Sequence, residues 1–309
     1  MSRNSSKKKV PNKRLLVLSV GLSAIIIFGF LAYKMIFQNQ ETKFSLKAAI
    51  VDQLSEHFPN PTFITTATNL LTNAGFNVSY FNSTSVTVPF YRELVEGNYG
   101  IVIIRAHSAL RNETNIVDLF TSEEYDKNKY YDYQNDGLLS RAEYFVPLGQ
   151  STNKSYFAIT PNFIEHFGHF PKSIVIAMGC SSLNVSGMAE AFINRGAKAY
   201  VGWTNIVLPN DTDHETAKFL NMFLGKNYTL ASSISATYPP HNYYDPNIGI
   251  RVFSKMDFYP VSRSLGDLKI SDLIGEAKNS KASMAFNYFE GFSFLITRVN
   301  FKSKDFLMD

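Results

Sequence analysis

GIVIIRAHSAL, Gly100–Leu110, and SIVIAMGCSSL, Ser173–Leu183, are two segments built to one pattern. Each has a short apolar run, a brief turn, and then a side chain capable of chemistry: His107 in the first, Cys180 in the second. Short apolar runs of this kind mark strands buried on both faces, as in parallel sheets covered by helices. In such sheets ligands bind beyond the C-terminal strand ends. If the two strands are neighbours, His107 and Cys180 share one crevice. A thiolate is a strong nucleophile, and a nearby imidazole stabilises it and delivers a proton to a leaving group. Taken singly, a free cysteine is ordinarily a small buried hydrophobe and a lone histidine a structural hydrogen-bonder. The matched positions of the pair carry the site reading.

Working outward, the chain alternates strands and helices. Lys47–Leu54 and Phe76–Phe81 read as strands, with a helix over Asn60–Ala74 between them that stops at Gly75. Val88–Glu96 reads as a short helix before the histidine strand. After the cysteine come a helix over Gly187–Asn194, a strand over Ala197–Gly202 and a helix over Asp211–Leu224, with Asp211 or Thr212 as its N-cap. Asn112–Phe170 is polar, rich in tyrosine and without a clear period, and reads as turns, a hairpin and one helix near Pro161–Phe167. Added strands are expected near Ile250–Phe253 and Phe292–Val299. This order predicts an α/β fold: a three-layer sandwich around a mostly parallel central sheet.

The first forty residues have a different character. Leu15–Tyr33 is free of charge and spans about 28 Å as a helix, close to the thickness of a bilayer core. A cleaved signal peptide would have a shorter apolar core, about 7–15 residues, and a small-x-small site after it. The expected organisation is a basic tail 1–14, a transmembrane helix 15–37, a linker 38–46, an α/β domain 47–260, and a C-terminal extension 261–309 packed on that domain. Arg3, Lys7, Lys8, Lys9, Lys13 and Arg14 precede the apolar run, so the tail is cytoplasmic and the domain extracytoplasmic. The linker then lets the first strand enter from the membrane side, and parallel neighbours would direct His107 and Cys180 outward.

The 309 residues carry a formal net charge of +4, but seven positive charges lie before residue 38, leaving −3 for the rest. The basic balance is therefore a topology signal and excludes a nucleic-acid surface as its cause. Asn77, Asn82, Asn112, Asn153, Asn184, Asn210 and Asn227 head glycosylation sequons, in keeping with an extracytoplasmic domain. Cys180 is the one cysteine, so the core holds the domain without an internal disulfide.

AHSAL and AMGCSSL resemble the two catalytic motifs of the caspase-like clan of cysteine peptidases, which includes caspases, legumain, gingipains, separase and the CHAT-like proteins. SGMAEAFINRGAKAYVGWTNIV, after the cysteine, is similar to the corresponding segment of gingipain-like and CHAT-like members, and DTDHETAKFL looks like the helix that follows. The resemblance covers roughly Lys47–Pro260. It implies Cys180 as nucleophile, His107 as general acid/base, and the main-chain amides of Ser108 and Cys180 as an oxyanion hole. The clan commonly has glycine after the histidine; Ser108 stands there and keeps the amide. The resemblance also places Trp203 near a substrate pocket, with a core aromatic as the equal alternative. It implies a peptide or protein substrate; the other reading is a non-catalytic surface module of the same fold that binds peptides or partner proteins.

Two weaker patterns receive ordinary readings. Asp132, Asp136, Gly137, Ser140 and Glu143 fit a calcium loop that Gln134 breaks, and a hairpin turn at residues 135–137 accounts for the same residues. His166 and His169 read as a polar loop rather than a metal pair. There is no phosphate loop, dinucleotide fingerprint, HExxH or G-x-S-x-G, so no metal or cofactor is expected.

Overall fold

The structure is a computed structural model that describes residues 43–279, apart from 112–113, 144, 147–149, 152–153, 238–240 and 246–249. The tail 1–14, the span 15–37, the sequon residues Asn112 and Asn153, and the strand expected at Phe292–Val299 lie outside the described residues. Among those described, no helix is long and apolar enough to cross a membrane.

In chain order, β1 (Lys47–Asp52), α1 (Pro61–Asn73), β2 (Asn77–Asn82), α2 (Val88–Glu96) and β3 (Ile101–Arg105) open the fold. An insertion follows: β4 (Ser108–Arg111), β5 (Ile116–Glu124), α3 (Tyr131–Asn135), β6 (Leu139–Ala142), the short β7 (Phe145–Val146) and β8 (Gln150–Ser151), and β9 (Tyr156–Ile159). Then come α4 (Pro161–Phe167), β10 (Ile174–Ala177), α5 (Gly187–Asn194), β11 (Ala199–Trp203), and α6 (Pro209–Leu220), which runs into a π-helical turn at Asn221–Gly225. The chain continues through α7 (Leu230–Ser235), β12 (His241–Asp245), β13 (Ile250–Ser254), β14 (Met256–Tyr259), α8 (Arg263–Gly266) and a helix over residues 270–279.

The central sheet runs β14-β11-β10-β3-β1-β2, parallel throughout except for antiparallel β14 at one edge. Alternation along its strands builds two cores. Ala49, Val51, Val102, Ile104, Val175 and Ala177 pack with α2, α4 and α5 on one face. Ala48, Ile50, Ile101, Ile103, Ile174 and Ile176 pack with α1, α6 and α7 on the other. The fold is thus mixed α/β, with a mostly parallel sheet flanked by helices. Three helices start from one device, a polar cap followed by proline in the first turn: Asn60 before α1, Thr87 before α2 and Thr160 before α4 each accept from a backbone N–H of that turn. Leu265, Ile270, Leu273 and Ala277 are buried in the second core, which packs the described start of the C-terminal extension onto the domain.

Of the turns, hairpin and helix expected over Asn112–Phe170, the helix is α4 and β4–β5 is a hairpin, but the strands build more than that. β4, β5, β9 and β6 form a four-stranded antiparallel sheet in that order. A register shift in β5 between Phe120 and Glu124 breaks the period that would have revealed a strand, and its partner β9 is distant in sequence. There is no hairpin turn at residues 135–137: α3 ends there, Gly137 takes a positive φ of 67°, and β6 pairs with β9. β13 appears where a strand was expected; edge strand β14 was not foreseen. α6 also begins earlier than expected, with Leu208 as its cap and Pro209 in its first turn. Thr212 and Asp213 are instead buried against the sheet, a shift that bears on the site.

Candidate functional site

His107 and Cys180 follow neighbouring strands. Ile104 of β3 and Ala177 of β10 are register partners, and each reactive residue stands three positions beyond its own. The Met178 N–H donates to the Ile104 carbonyl at 2.8 Å, which carries the pairing one step past the strands.

The two turns are then held together. The Ser108 hydroxyl donates to the Cys180 carbonyl at 2.6 Å. Gly179 is required by this approach: a Cβ there would stand 2.3 Å from Ser108 Oγ and 2.5 Å from the Ala106 carbonyl oxygen. Phe120 N–H donates to the His107 carbonyl at 3.0 Å. Ser108 and Leu119 therefore form the antiparallel pair that exchanges no amide bonds, and the Ser108 amide is turned away from β5. It faces the cysteine turn, since the same Cβ on Gly179 would lie 2.9 Å from Ser108 N.

After the cysteine the chain doubles back. Ser181 adopts a positive φ of 54° and donates its N–H to the Asn205 carbonyl at 2.8 Å. Ser182 bridges β10 and β11, donating to the Ala177 carbonyl at 3.0 Å and accepting from Trp203 N–H at 2.9 Å. The segment after β11 thereby lies against Cys180, whose thiol donates to the Val207 carbonyl at 3.3 Å. The thiol is half-buried, and burial pushes its pKa up.

His107 is half-buried between Phe58 and Phe120, with ring centroids 6.0 and 5.9 Å away. Its main-chain amide donates to Gln53 Oε1 at 3.0 Å. Burial, helped by the charges of His57 and Arg105, brings the imidazole pKa down to about 4, so it is neutral near pH 7.

Beneath this surface sits a cluster that the sequence reading missed. Arg105, 1 % exposed, donates through Nη1 to Asp52 at 2.6 Å and through Nε and Nη2 to Asp213 at 2.7 and 2.8 Å. Nη2 also donates to the Phe58 carbonyl at 2.7 Å. Asn60 donates to the same Asp213 carboxylate, and Tyr80 to Asp52. Beside it, Thr212 donates to the Met178 carbonyl at 3.0 Å. One ion cluster therefore clamps the ends of β1 and β3 and the first turns of α6. Burial raises the Asp52 carboxyl pKa against the opposing pull of Arg105. The signal available in the sequence was an arginine ending an apolar strand, which needs a buried anion; nothing in the sequence said which.

Trp203 is 1 % exposed in the second core and walls a pocket of about 270 Å³ with residues of α7 and β14. Asn77, Asn82, Asn184, Asn210 and Asn227 are all exposed. Among the described residues no group of three or more His, Cys, Asp or Glu is arranged to hold a metal ion. Of the calcium-loop residues, Ser140 bonds the buried Asp118 and Glu143 pairs with Arg141 on the surface. His166 and His169 are both exposed.

Compared with known proteins, the chain matches no family model and no curated sequence.

Proposed function

We propose that this chain is a membrane-anchored, extracytoplasmic cysteine peptidase of the caspase-like type. The observation that supports this best is the equal offset of His107 and Cys180 from register partners on adjacent parallel strands. In the proposed reaction Cys180 Sγ attacks the scissile carbonyl carbon while its proton passes to the neutral His107 imidazole. The oxyanion is met by the amides of Ser108 and Cys180. The C–N bond breaks, His107 returns the proton to the departing amine, and water then hydrolyses the thioester to release acid and thiol. A neutral imidazole suits a resting dyad that exchanges its proton only when substrate arrives.

The test is hydrolysis of internally quenched peptides by the full chain. Loss of turnover in both Cys180→Ala and His107→Ala supports the dyad; turnover unchanged in Cys180→Ala overturns it.

One observation favours the second reading, a peptide-binding module without catalysis. The Cys180 thiol is bonded to the Val207 carbonyl and shifted away from the thiolate. A domain that binds peptides and hydrolyses none of them would establish that reading.

A further inference from the structure

A cleft of about 340 Å³ opens beside His107, between the end of β1 and strands β5 and β9 of the four-stranded sheet. Gln53, Glu56, Ser122, Glu124 and Lys154 line it. Gln53 is 2 % exposed, and its carboxamide orientation follows from chemistry: only Oε1 can accept the His107 N–H. Nε2 is then the other end of the group. Among the described residues the buried Ser122 Oγ has no hydrogen-bond partner. A buried hydroxyl left unsatisfied at the wall of a cleft is costly unless a ligand completes it.

The position of the cleft says which part of a ligand it takes. Sheet order puts β1 and Gln53 on one side of His107, and β10 with Cys180 on the other. In the proposed reaction the imidazole protonates the departing amine, so the leaving segment runs past His107 away from the thiol. The charges say what that segment carries. Lys154 is paired with Glu124, and Glu56 adds a second carboxylate, so the lining sets two carboxylates against one ammonium.

Resting on the dyad reading above, we propose that this cleft binds the leaving-side segment of a peptide substrate and selects a Lys or Arg side chain there. Gln53 Nε2 donates to a backbone carbonyl oxygen of the substrate, Ser122 Oγ completes the backbone contact, and Glu56 meets the cationic side chain. Gln53 is a positioning residue for the substrate and, through the His107 amide, for the imidazole.

The experiment uses the full chain and quenched peptides identical up to the scissile bond, with Lys, Ala or Glu at the first positions after it. Lys is expected to exceed Glu in kcat/KM by about fivefold, the size of a partly exposed ion pair. Glu56→Gln is expected to bring that ratio close to one, whereas Glu96→Gln, on α2, leaves it in place. Gln53→Ala is expected to raise KM for all three peptides. Hydrolysis with equal rates for Lys and Glu, or a ratio unmoved by Glu56→Gln, overturns the cleft proposal while the dyad stands. A Cys180→Ala chain separates the two readings. Binding of a fluorescent Lys peptide to it, weakened about fivefold by Glu56→Gln, supports the cleft even if no peptide is cleaved; binding indifferent to Glu56→Gln and Gln53→Ala overturns it.

Discussion

The Ser108 hydroxyl donates to the carbonyl oxygen of Cys180 at 2.6 Å, tying the turn after β3 to the turn after β10. That tie depends on a residue without a side chain at position 179. Gly179→Ala is expected to lower stability by about 1–3 kcal/mol, because its methyl group must push apart Ser108 and the Ala106 carbonyl. Urea unfolding followed by circular dichroism reads this, and an unchanged midpoint would mean that the two turns separate at no cost. Ser108→Ala removes the tie without a clash. It is expected to reduce peptide turnover about tenfold with less effect on the unfolding midpoint.

Arg105 is the charge on which the clamp depends. Arg105→Met leaves Asp52 and Asp213 buried without their cation and is expected to destabilise by about 3–5 kcal/mol. The triple change Arg105→Met, Asp52→Leu and Asp213→Leu removes every charge of the cluster and is expected to recover much of that loss. Denaturant unfolding of the two variants decides it: equal destabilisation in both would show that packing, rather than uncompensated charge, is what fails.

The buried imidazole predicts a pH dependence. His107 has its pKa lowered in the fold to about 4 from 6.5, so the unfolded chain binds the proton first as pH falls. Above pH 6.5 neither state is protonated and the group contributes nothing. Between 6.5 and about 4 the folded state loses up to about 3 kcal/mol, an upper figure for a half-buried group. His107→Gln is expected to flatten this part of the stability profile, which thermal unfolding at stepped pH would reveal. Parallel profiles for the two proteins would place the titration elsewhere.

Cys180 is expected to behave as a protonated thiol in the free protein. Its alkylation by iodoacetamide should be slow near pH 7 and rise only above the ordinary thiol range, about 8.5, because burial disfavours the thiolate. Mass spectrometry across pH follows the rate. A plateau extending below pH 6 would reveal a thiolate–imidazolium pair and contradict the neutral resting dyad.

The proposed orientation predicts the outcome of external proteolysis. Protease added to intact cells is expected to degrade the chain after about residue 45 and spare the basic tail. A protected domain would reverse the topology.

The sequence by itself determined the five parallel strands of the central sheet, though not its antiparallel edge strand β14. Four apolar residues before His107 and four before Cys180 read as buried strands because a strand covered on both faces has no use for polar side chains, and both are strands in the structure. Helices that open with a cap and a proline, such as Val88–Glu96 and Pro161–Phe167, were legible for an equally local reason: capping satisfies orphan amides within a single turn. What only tertiary structure decided is whatever depends on distant partners. The antiparallel sheet of β4, β5, β9 and β6 was hidden because β5 carries a register shift and pairs with β9, far along the chain. Asp213 lies in a helix that the sequence showed, yet its burial follows from Arg105, 108 residues earlier in the chain, whose buried guanidinium takes Asp213 and Asp52 as partners. The protonation of the pair followed the same rule. The sequence named an imidazole and a thiol, but burial, a property of the assembled fold, set the direction in which each pKa moved.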